Sequence, residues 1–224
     1  MNIELAKENM IKQQIRPLGV PYGDLLSTII DTPREIFVPK SFKELAYSEV
    51  EILLNHGQKE LTPQTVIKML QQLAPKRHER ALELGCGCGY LTALLAKLTK
   101  LIDVVSEHED MLNHVKNALK TIGVYNAKYH LGVTKDAKTL TELVGLDVKF
   151  DVIVVHKYLT VSPENYLKYL AGNGRMLYFL AKGGYAKAVL IHKNVDGSYH
   201  QTSTFDVYEN VDKKMQAKKA VFKF

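Results

Sequence analysis

The sequence lacks several features that mark particular classes of protein. Its 224 residues contain two cysteines and no tryptophan. Cys86 and Cys88 are one residue apart, so they cannot build the disulfide framework of a small secreted domain, and four-ligand zinc spacing is also missing. No apolar run reaches the roughly 18–20 residues that span a bilayer, and the N-terminus has no basic-then-apolar signal pattern. We therefore expect a cytoplasmic protein with no membrane segment and no metal site.

Positive charge is in modest excess. There are 30 Lys and Arg residues against 24 Asp and Glu, which gives a net charge of +6, and 46% of the residues are hydrophobic. Several cations lie in the run 76–80 and in the C-terminal residues, without the interleaved aromatic side chains of a single-strand binding surface. Nucleic acid is therefore an unlikely partner, and the composition is that of a globular protein.

The chain divides by pattern into three parts. We predict an N-terminal helical cover over residues 1–78, an α/β domain over 79–212 and a basic tail over 213–224. Apolar residues at helical spacing predict helices in 4–11 and in 24–30. A third helix should begin at Thr62 and Pro63, with the threonine as N-cap and the proline in the first helical position.

From residue 80 onward, short apolar strands alternate with helical segments. This alternation, followed by a late antiparallel hairpin across Asp196 and Gly197, predicts an α/β doubly wound, mostly parallel sheet. The predicted strands are Ala81–Leu84, Leu101–Ser106, Ala127–Leu131, Asp151–Val155, Arg175–Leu180, Ala186–His192 and Thr202–Val207.

The most informative stretch is the glycine-rich loop between the first of these strands and the next helix. Gly85, Gly87 and Gly89 alternate with cysteines, which lets the backbone turn sharply and approach a ligand closely. The spacing G-x-G-x-G differs from the G-x-G-x-x-G of dinucleotide binders, and no Gly-Lys-Ser/Thr follows, which excludes a P-loop. A plain tight turn between strand and helix is the alternative.

An acidic residue at the end of the next strand favours a ligand over a plain turn. Glu107 lies 22 residues beyond Gly85, where a carboxylate suits the hydroxyls of a ribose. Glu83, just before the loop, adds a second negative charge. A site with a glycine floor and a negative lining favours a cationic nucleoside, and S-adenosylmethionine is the obvious candidate.

The residues also carry a family resemblance. The segment from Glu83 to Tyr90 resembles motif I of class I S-adenosylmethionine-dependent methyltransferases. The wider chain resembles the protein-L-isoaspartate O-methyltransferase family, through the segments Met10–Arg16, Pro33–Pro39, Leu45–Tyr47, Gly57–Gln58 and Phe150–Ile153. The Pro-Arg-Glu-x-Phe-Val-Pro segment is specific to that family.

The resemblance implies a seven-stranded, Rossmann-like methyltransferase sheet with an N-terminal helical extension that covers the pocket. It further implies methylation of isoaspartyl carboxylates, with isoaspartyl-containing proteins or peptides as partners and S-adenosylmethionine as cofactor. The candidate cofactor-binding residues are His56, Gly57, Gln58, Glu83, Leu84, Gly85, Cys86, Gly87, Gly89, Tyr90, Glu107, His108 and Val133.

Two segments depart from the family pattern. After Gly-Gln the family has a Thr-Ile-Ser stretch that clamps the substrate carboxylate, but here Lys59 replaces the threonine and Leu61 replaces the serine. Lys59 and a displaced Thr62 hydroxyl are the candidate catalytic groups, although Thr62 can equally serve only as the N-cap. Val133 replaces an aspartate expected near the adenine amino group, which predicts weaker cofactor binding.

Other candidates keep two interpretations. His156, after the strand Asp151–Val155, either contacts the substrate or faces solvent from a loop. Leu61 is the other residue that we assign to the substrate. The two cysteines are either small residues beside the cofactor or thiols with lowered pKa near a helix N-terminus. Alternative functions are a methyltransferase of the same fold acting on a small molecule or RNA, and a cofactor-binding homologue without isoaspartyl activity.

Overall fold

The computed structural model describes residues 2–133, 137–145 and 147–208. The N-terminal part is a series of short helical segments. Helix α1 spans Ile3–Asn9, continues as a π-helix over Met10–Ile15 and ends in a 3-10 turn over Arg16–Leu18. It stops there because Pro17 cannot continue the hydrogen-bond pattern and Gly19 takes the left-handed conformation (φ +73°).

The remainder of this N-terminal part leads to the sheet. Helix α2 spans Asp24–Ile30, and 3-10 segments follow over Arg34–Ile36 and Lys40–Leu45. Two very short antiparallel strands, β1 (Ile52–Leu53) and β2 (Lys59–Glu60), flank a 3-10 turn over Asn55–Gly57. Helix α3 spans Pro63–Leu73, with the Thr62 hydroxyl accepting the backbone N–H of Thr65, as the sequence predicts for an N-cap.

The central sheet has seven strands among the described residues, in the order β5-β4-β3-β6-β7-β8-β9. The first five pair in parallel, whereas β7–β8 and β8–β9 are antiparallel. The strands are β3 (Arg80–Leu84), β4 (Leu101–Ser106), β5 (Ala127–Leu131), β6 (Phe150–Leu159), β7 (Leu170–Ala181), β8 (Tyr185–Lys193) and β9 (Tyr199–Tyr208). Helices α4 (Tyr90–Leu98), α5 (Glu109–Thr121) and α6 (Ala137–Val144) alternate with them.

This order creates one topological switch point. The chain moves outward from β3 to β5 and then returns to place β6 on the other side of β3. Ligands of open α/β sheets bind at the carboxyl ends of the strands where the order reverses. The predicted fold class is therefore confirmed, and the expected site falls at the ends of β3, β4 and β6.

One apolar cluster joins the N-terminal segment to the sheet domain. It contains Phe37 and Leu26 from the N-terminal part together with Leu91 and Leu94 from α4, all nearly inaccessible to solvent. The N-terminal part therefore packs on the same core as one face of the sheet. The division at residue 78 remains a prediction about domains, and the tail predicted over 213–224 lies outside the described residues.

Two predictions of local structure need correction. The fourth strand continues to Leu159, so His156, Lys157 and Tyr158 belong to β6 and do not follow it. The pairing of β6 with β7 is irregular between Val154 and Tyr158, and this bulge hides the alternation that would have revealed a longer strand. The sequence also favours packing roles for Tyr125, Tyr129, Tyr166 and Tyr169, but Tyr125 is 76% exposed. No helix among the described residues combines the length and apolarity needed to cross a membrane.

Candidate functional site

The glycine loop begins where β3 ends. Gly85, Gly87 and Gly89 have φ values of +87°, +48° and +95°, a region that favours glycine. A Cβ on Gly87 would lie 2.5 Å from both Glu60 Oε2 and His156 Cε1, and one on Gly89 would lie 2.8 Å from Val115 Cγ2. The sequence analysis predicted that the loop backbone approaches a ligand closely. At Gly87 and Gly89 the backbone also approaches side chains of the protein itself.

Glu60 and His156, the side chains beside Gly87, belong to a buried charged cluster formed by Arg34, Glu60, Glu83 and His156. Glu60 Oε2 accepts the backbone N–H of Cys88 at 2.9 Å, and Glu60 Oε1 lies 3.8 Å from Arg34 Nη2. His156 Nδ1 lies 3.3 Å from Glu83 Oε1, and Glu83 Oε2 accepts the Thr92 hydroxyl at 2.6 Å. Buried charges need partners, and here two acids face two basic groups.

The electrostatics of the cluster follow from this arrangement. Burial raises the pKa of Glu83. Burial by itself would lower the pKa of His156, but the hydrogen bond to Glu83 and the charges of Glu60 and Glu83 raise it above its usual value. The two carboxylates therefore favour the protonated form of the imidazole. The interpretation of His156 as a solvent-facing loop residue is wrong, because the residue is 7% exposed.

Glu107, the carboxylate predicted to bind a ribose, has a partner that the sequence analysis did not predict. Glu107 directly follows β4, and its Oε1 accepts a hydrogen bond from Lys157 Nζ at 3.0 Å. The stem of Lys157 runs over the first glycine of the loop, since its Cε lies 3.6 Å from where a Gly85 Cβ would be. This ion pair thus crosses the carboxyl end of β3, between the ends of β6 and β4.

The rim beside Glu107 carries two stacked imidazoles. The rings of His56 and His108 lie 3.8 Å apart with an interplanar angle of 5°. Asp110 fixes the first of them, with His56 Nε2 2.9 Å from Asp110 Oδ1 and Asn55 Nδ2 donating to Oδ2 at 3.1 Å. His56 is one of the three non-glycine residues with positive φ (+58°) in the described chain, so the turn Asn55–Gly57 is shaped to present it.

A cavity of about 210 Å³ lies beside the glycine loop. Its walls are Gly87 and Cys88, the N-terminal segment around Phe37 and Asn55, and the first turns of α5 around Asp110. The N-terminal segment therefore does cover the edge of the loop, in the position that the sequence analysis assigned to it.

The candidate clamp residues do not gather around this cavity. Lys59 Nζ lies 3.4 Å from Glu51 Oε2, and the Leu61 side chain is buried while its carbonyl accepts from Arg34 Nη2 at 2.7 Å. The Thr62 hydroxyl caps α3 and also donates to the Thr65 hydroxyl. Of the two interpretations of Thr62, the structure therefore contains the cap.

The remaining candidates fall in two groups. Leu84, Cys86 and Tyr90 are buried in or next to the loop, whereas Gly57 is exposed, Gln58 is half-buried and Val133 is 48% exposed. Burial raises the pKa of the Cys86 thiol to about 12 and also raises that of Cys88. The alternative of reactive cysteines with lowered pKa is wrong, because both side chains are shielded from the solvent that would stabilise a thiolate.

Three residues of the site went unassigned in the sequence analysis: Arg34, Glu60 and Lys157. Arg34 lies in the Pro-Arg-Glu segment, and Glu60 lies between the two altered clamp positions. The sequence analysis assigned roles to neighbours of these residues but not to the residues themselves. Their position in or beside the segments that carry the family resemblance is the signal that could have found them. Lys157 carries no such signal, because only the bulge in β6 directs it toward Glu107.

Comparison with known proteins places these features in context. A family model described as protein-L-isoaspartate(D-aspartate) O-methyltransferase matches residues 5–209. A protein-L-isoaspartate O-methyltransferase of Petrotoga mobilis is 27% identical over 198 residues, which are 88% of this chain and 91% of the relative. One from Pelobacter propionicus is 26% identical over 206 residues, covering 91% of this chain and 94% of that protein.

Solved structures show the same fold. A Plasmodium falciparum protein described as a beta-aspartate methyltransferase, in complex with S-adenosyl-L-homocysteine, superposes with a TM-score of 0.75 at 20% identity. The match covers 95% of this chain and 99% of that one. A second structure named protein-L-isoaspartate O-methyltransferase gives a TM-score of 0.70 at 18% identity, over 99% of this chain and 71% of its own.

Proposed function

The chain belongs to the protein-L-isoaspartate(D-aspartate) O-methyltransferase family, and we propose that it methylates the carboxylate of L-isoaspartyl residues in damaged proteins. S-adenosylmethionine is the methyl donor. The observation that carries the proposal is the match of the family model across residues 5–209, which includes both the N-terminal cover and the sheet domain.

The residues present fit the cofactor. Gly85 has a left-handed backbone and no Cβ, and it opens toward the ends of β4 and β6, where a nucleoside lies in this kind of sheet. The Glu107 carboxylate, 26% exposed, would accept the ribose hydroxyls, and the imidazole of His108 would flank the adenine. The exposed Val133 supplies no hydrogen bond to the adenine amino group, so this end of the site depends on packing.

The reaction does not require proton transfer by a side chain of the protein. A carboxylic acid with a pKa near 4 is already ionised at neutral pH, so no general base is required. The acceptor oxygen forms a bond to the methyl carbon while the sulfur–methyl bond breaks, which yields a methyl ester and S-adenosylhomocysteine. The chain's task is to hold the carboxylate in line and to exclude water, which the N-terminal cover serves.

The test is transfer of labelled methyl from S-adenosylmethionine to an isoaspartyl peptide and, in parallel, to its normal aspartyl twin. We expect base-labile methyl ester on the isoaspartyl peptide alone. Label on both peptides would contradict the proposed specificity, and label on neither would contradict the proposed activity. Binding of S-adenosylhomocysteine, measured by calorimetry on the same preparation, separates loss of activity from loss of the cofactor site.

One observation favours a second candidate, a cofactor-binding homologue with another acceptor or with none. The Leu61 side chain is buried and apolar, and Lys59 pairs with Glu51, so neither offers the hydroxyls of the Thr-Ile-Ser stretch. This candidate predicts that S-adenosylhomocysteine binds while neither peptide is methylated.

A further inference from the structure

Lys157 lies across the place where the proposed site would hold a nucleoside. Its ammonium holds Glu107 Oε1 at 3.0 Å, and its stem lies over Gly85, the glycine on which the cofactor would rest. The two contacts lie at the carboxyl ends of β4 and β3. A ribose that bonds to Glu107 would therefore meet Lys157 at the same carboxylate.

The fold directs Lys157 to this place. The register of β6 against β7 shifts between Val154 and Tyr158, so three residues of β6 stand opposite a single residue of β7. Bulges of this kind re-aim side chains next to active sites. Here the bulge buries His156 against Glu83 and sends Lys157 across the end of β3 toward Glu107.

The same ammonium is suited to the acceptor. The other cation weighed for the clamp, Lys59, lies against Glu51, while Leu61 is buried and the Thr62 hydroxyl caps α3. The side chain of Lys157 is 26% exposed at the edge of the sheet where substrate must meet the cofactor. Once a ribose takes Glu107, this cation lies beside the reaction centre and can bind a carboxylate.

From these contacts we infer that Lys157 is a displaceable latch that couples the two ligands. It closes the nucleoside site by pairing with Glu107, and the cofactor's ribose releases it to hold the acceptor carboxylate. The inference rests on the proposed function for its second half and implies that cofactor binds before acceptor. Lys157 would then replace, with a charge, the hydroxyl clamp that Lys59 and Leu61 no longer provide.

The first half is tested without activity, by calorimetry with 5′-methylthioadenosine, an uncharged nucleoside that carries the ribose but no amino-acid group. We expect Lys157→Met to bind it about twofold to fivefold more tightly than the wild type. This factor corresponds to the free energy that a part-exposed ion pair usually contributes. Raising NaCl from about 50 to about 300 mM should tighten binding to the wild type but not to the variant, because salt screens the ion pair.

Two matched variants control this measurement. Lys157→Arg keeps the ion pair and should bind like the wild type. Lys187→Met removes a comparable pair with Asp206, 3.5 Å away between β8 and β9, and should change nothing. Equal or weaker nucleoside binding to Lys157→Met, or a wild-type affinity that salt leaves unchanged, would overturn the latch.

The second half is tested by kinetics with an isoaspartyl peptide at saturating S-adenosylmethionine. Lys157→Met should raise KM for the peptide about tenfold, as expected for loss of a hydrogen bond to a charged group, with kcat nearly unchanged. Lys157→Arg should restore most of the loss. An unchanged KM would refute the acceptor role. Absence of transfer by the wild type would refute the proposed function and leave the nucleoside result standing.

Discussion

Gly87 leaves no room for a side chain. Its φ of +48° is left-handed, and a Cβ would stand 2.5 Å from Glu60 Oε2 and His156 Cε1, both in the buried charged cluster. We predict that Gly87→Ala lowers the free energy of unfolding by about 1–3 kcal/mol more than Gly123→Ala, because it adds overpacking to backbone strain. Gly123 has a φ of +71° and nothing within 4 Å, so it measures strain alone. Equal losses in urea unfolding would disprove the clash.

Glu107 is the residue on which the nucleoside site depends. We predict that Glu107→Ala weakens S-adenosylhomocysteine binding about tenfold to a hundredfold, because charged acceptors make strong hydrogen bonds and the ribose hydroxyls would lose theirs. Release of Lys157 offsets only a small part of this loss. Calorimetry measures the effect, and Glu109→Ala, an exposed acid in the first turn of α5, is the control. An affinity equal to that of the wild type would show that Glu107 does not hold the ribose.

At the scale of elements, Arg175 joins α3, β7 and the approach to β3. Its guanidinium donates to both carboxylate oxygens of Glu79, at 2.6 and 2.9 Å, and to the carbonyl of Ala74 at the end of α3. Both residues are less than 10% exposed. Arg175 therefore links the end of α3 to the segment that leads into β3. The sequence showed only a polar run at this place.

We predict that Arg175→Met lowers the free energy of unfolding by about 3–5 kcal/mol, since it leaves Glu79 buried without its charged partner. Arg77→Met should have a much smaller effect, because its pair with Asp24 is mostly exposed. Chemical denaturation of the two variants side by side makes the comparison. A small loss for Arg175→Met would mean that water or rearrangement replaces the ion pair.

At the scale of the whole molecule, stability should depend on pH in two opposite ways. Burial alone would raise the pKa of Glu79 and Asp103, but Arg175 lowers the first, and His130 and Arg80 lower the second. Their stabilising contribution is present above the unfolded values of 4.5 and 3.8 and is lost as the pH falls through the lower folded values. The pKa of His156 is raised, so its contribution is present below 6.5 and is lost as the pH rises through the folded value.

We therefore expect maximal stability between about pH 5 and 6.5, with losses on both sides of about 1.4 kcal/mol for each unit of pKa shift. Urea unfolding across pH 3 to 9 tests this expectation. His156→Gln should reduce the loss on the alkaline side and leave the contributions of Glu79 and Asp103 on the acid side. The raised pKa of Glu83 also costs stability as the pH rises, so part of the alkaline loss remains in the variant. If the free energy of unfolding of the variant falls with rising pH as steeply as that of the wild type, groups other than His156 cause that loss.

The fold class and the position of the glycine loop were predictable from the amino-acid pattern. Alternating apolar strands and helices, with glycines after the first strand of the sheet and an acid after the second, are local patterns, and local hydrogen bonding and steric rules connect them directly to structure. The Thr62 cap was predictable for the same reason. The family-specific segments then pointed to the activity, and the family model agrees with them.

Which charged side chains meet depends on how the chain packs. Arg34, Glu60, Glu83 and His156 come from four distant segments, and no spacing rule links them. Whether Lys157 faces solvent or Glu107 depends on a bulge in β6, which arises from pairing with a strand about twenty residues later. Burial and charge pairing are sums over neighbours distant in sequence, so they are fixed by packing and cannot be read along the chain.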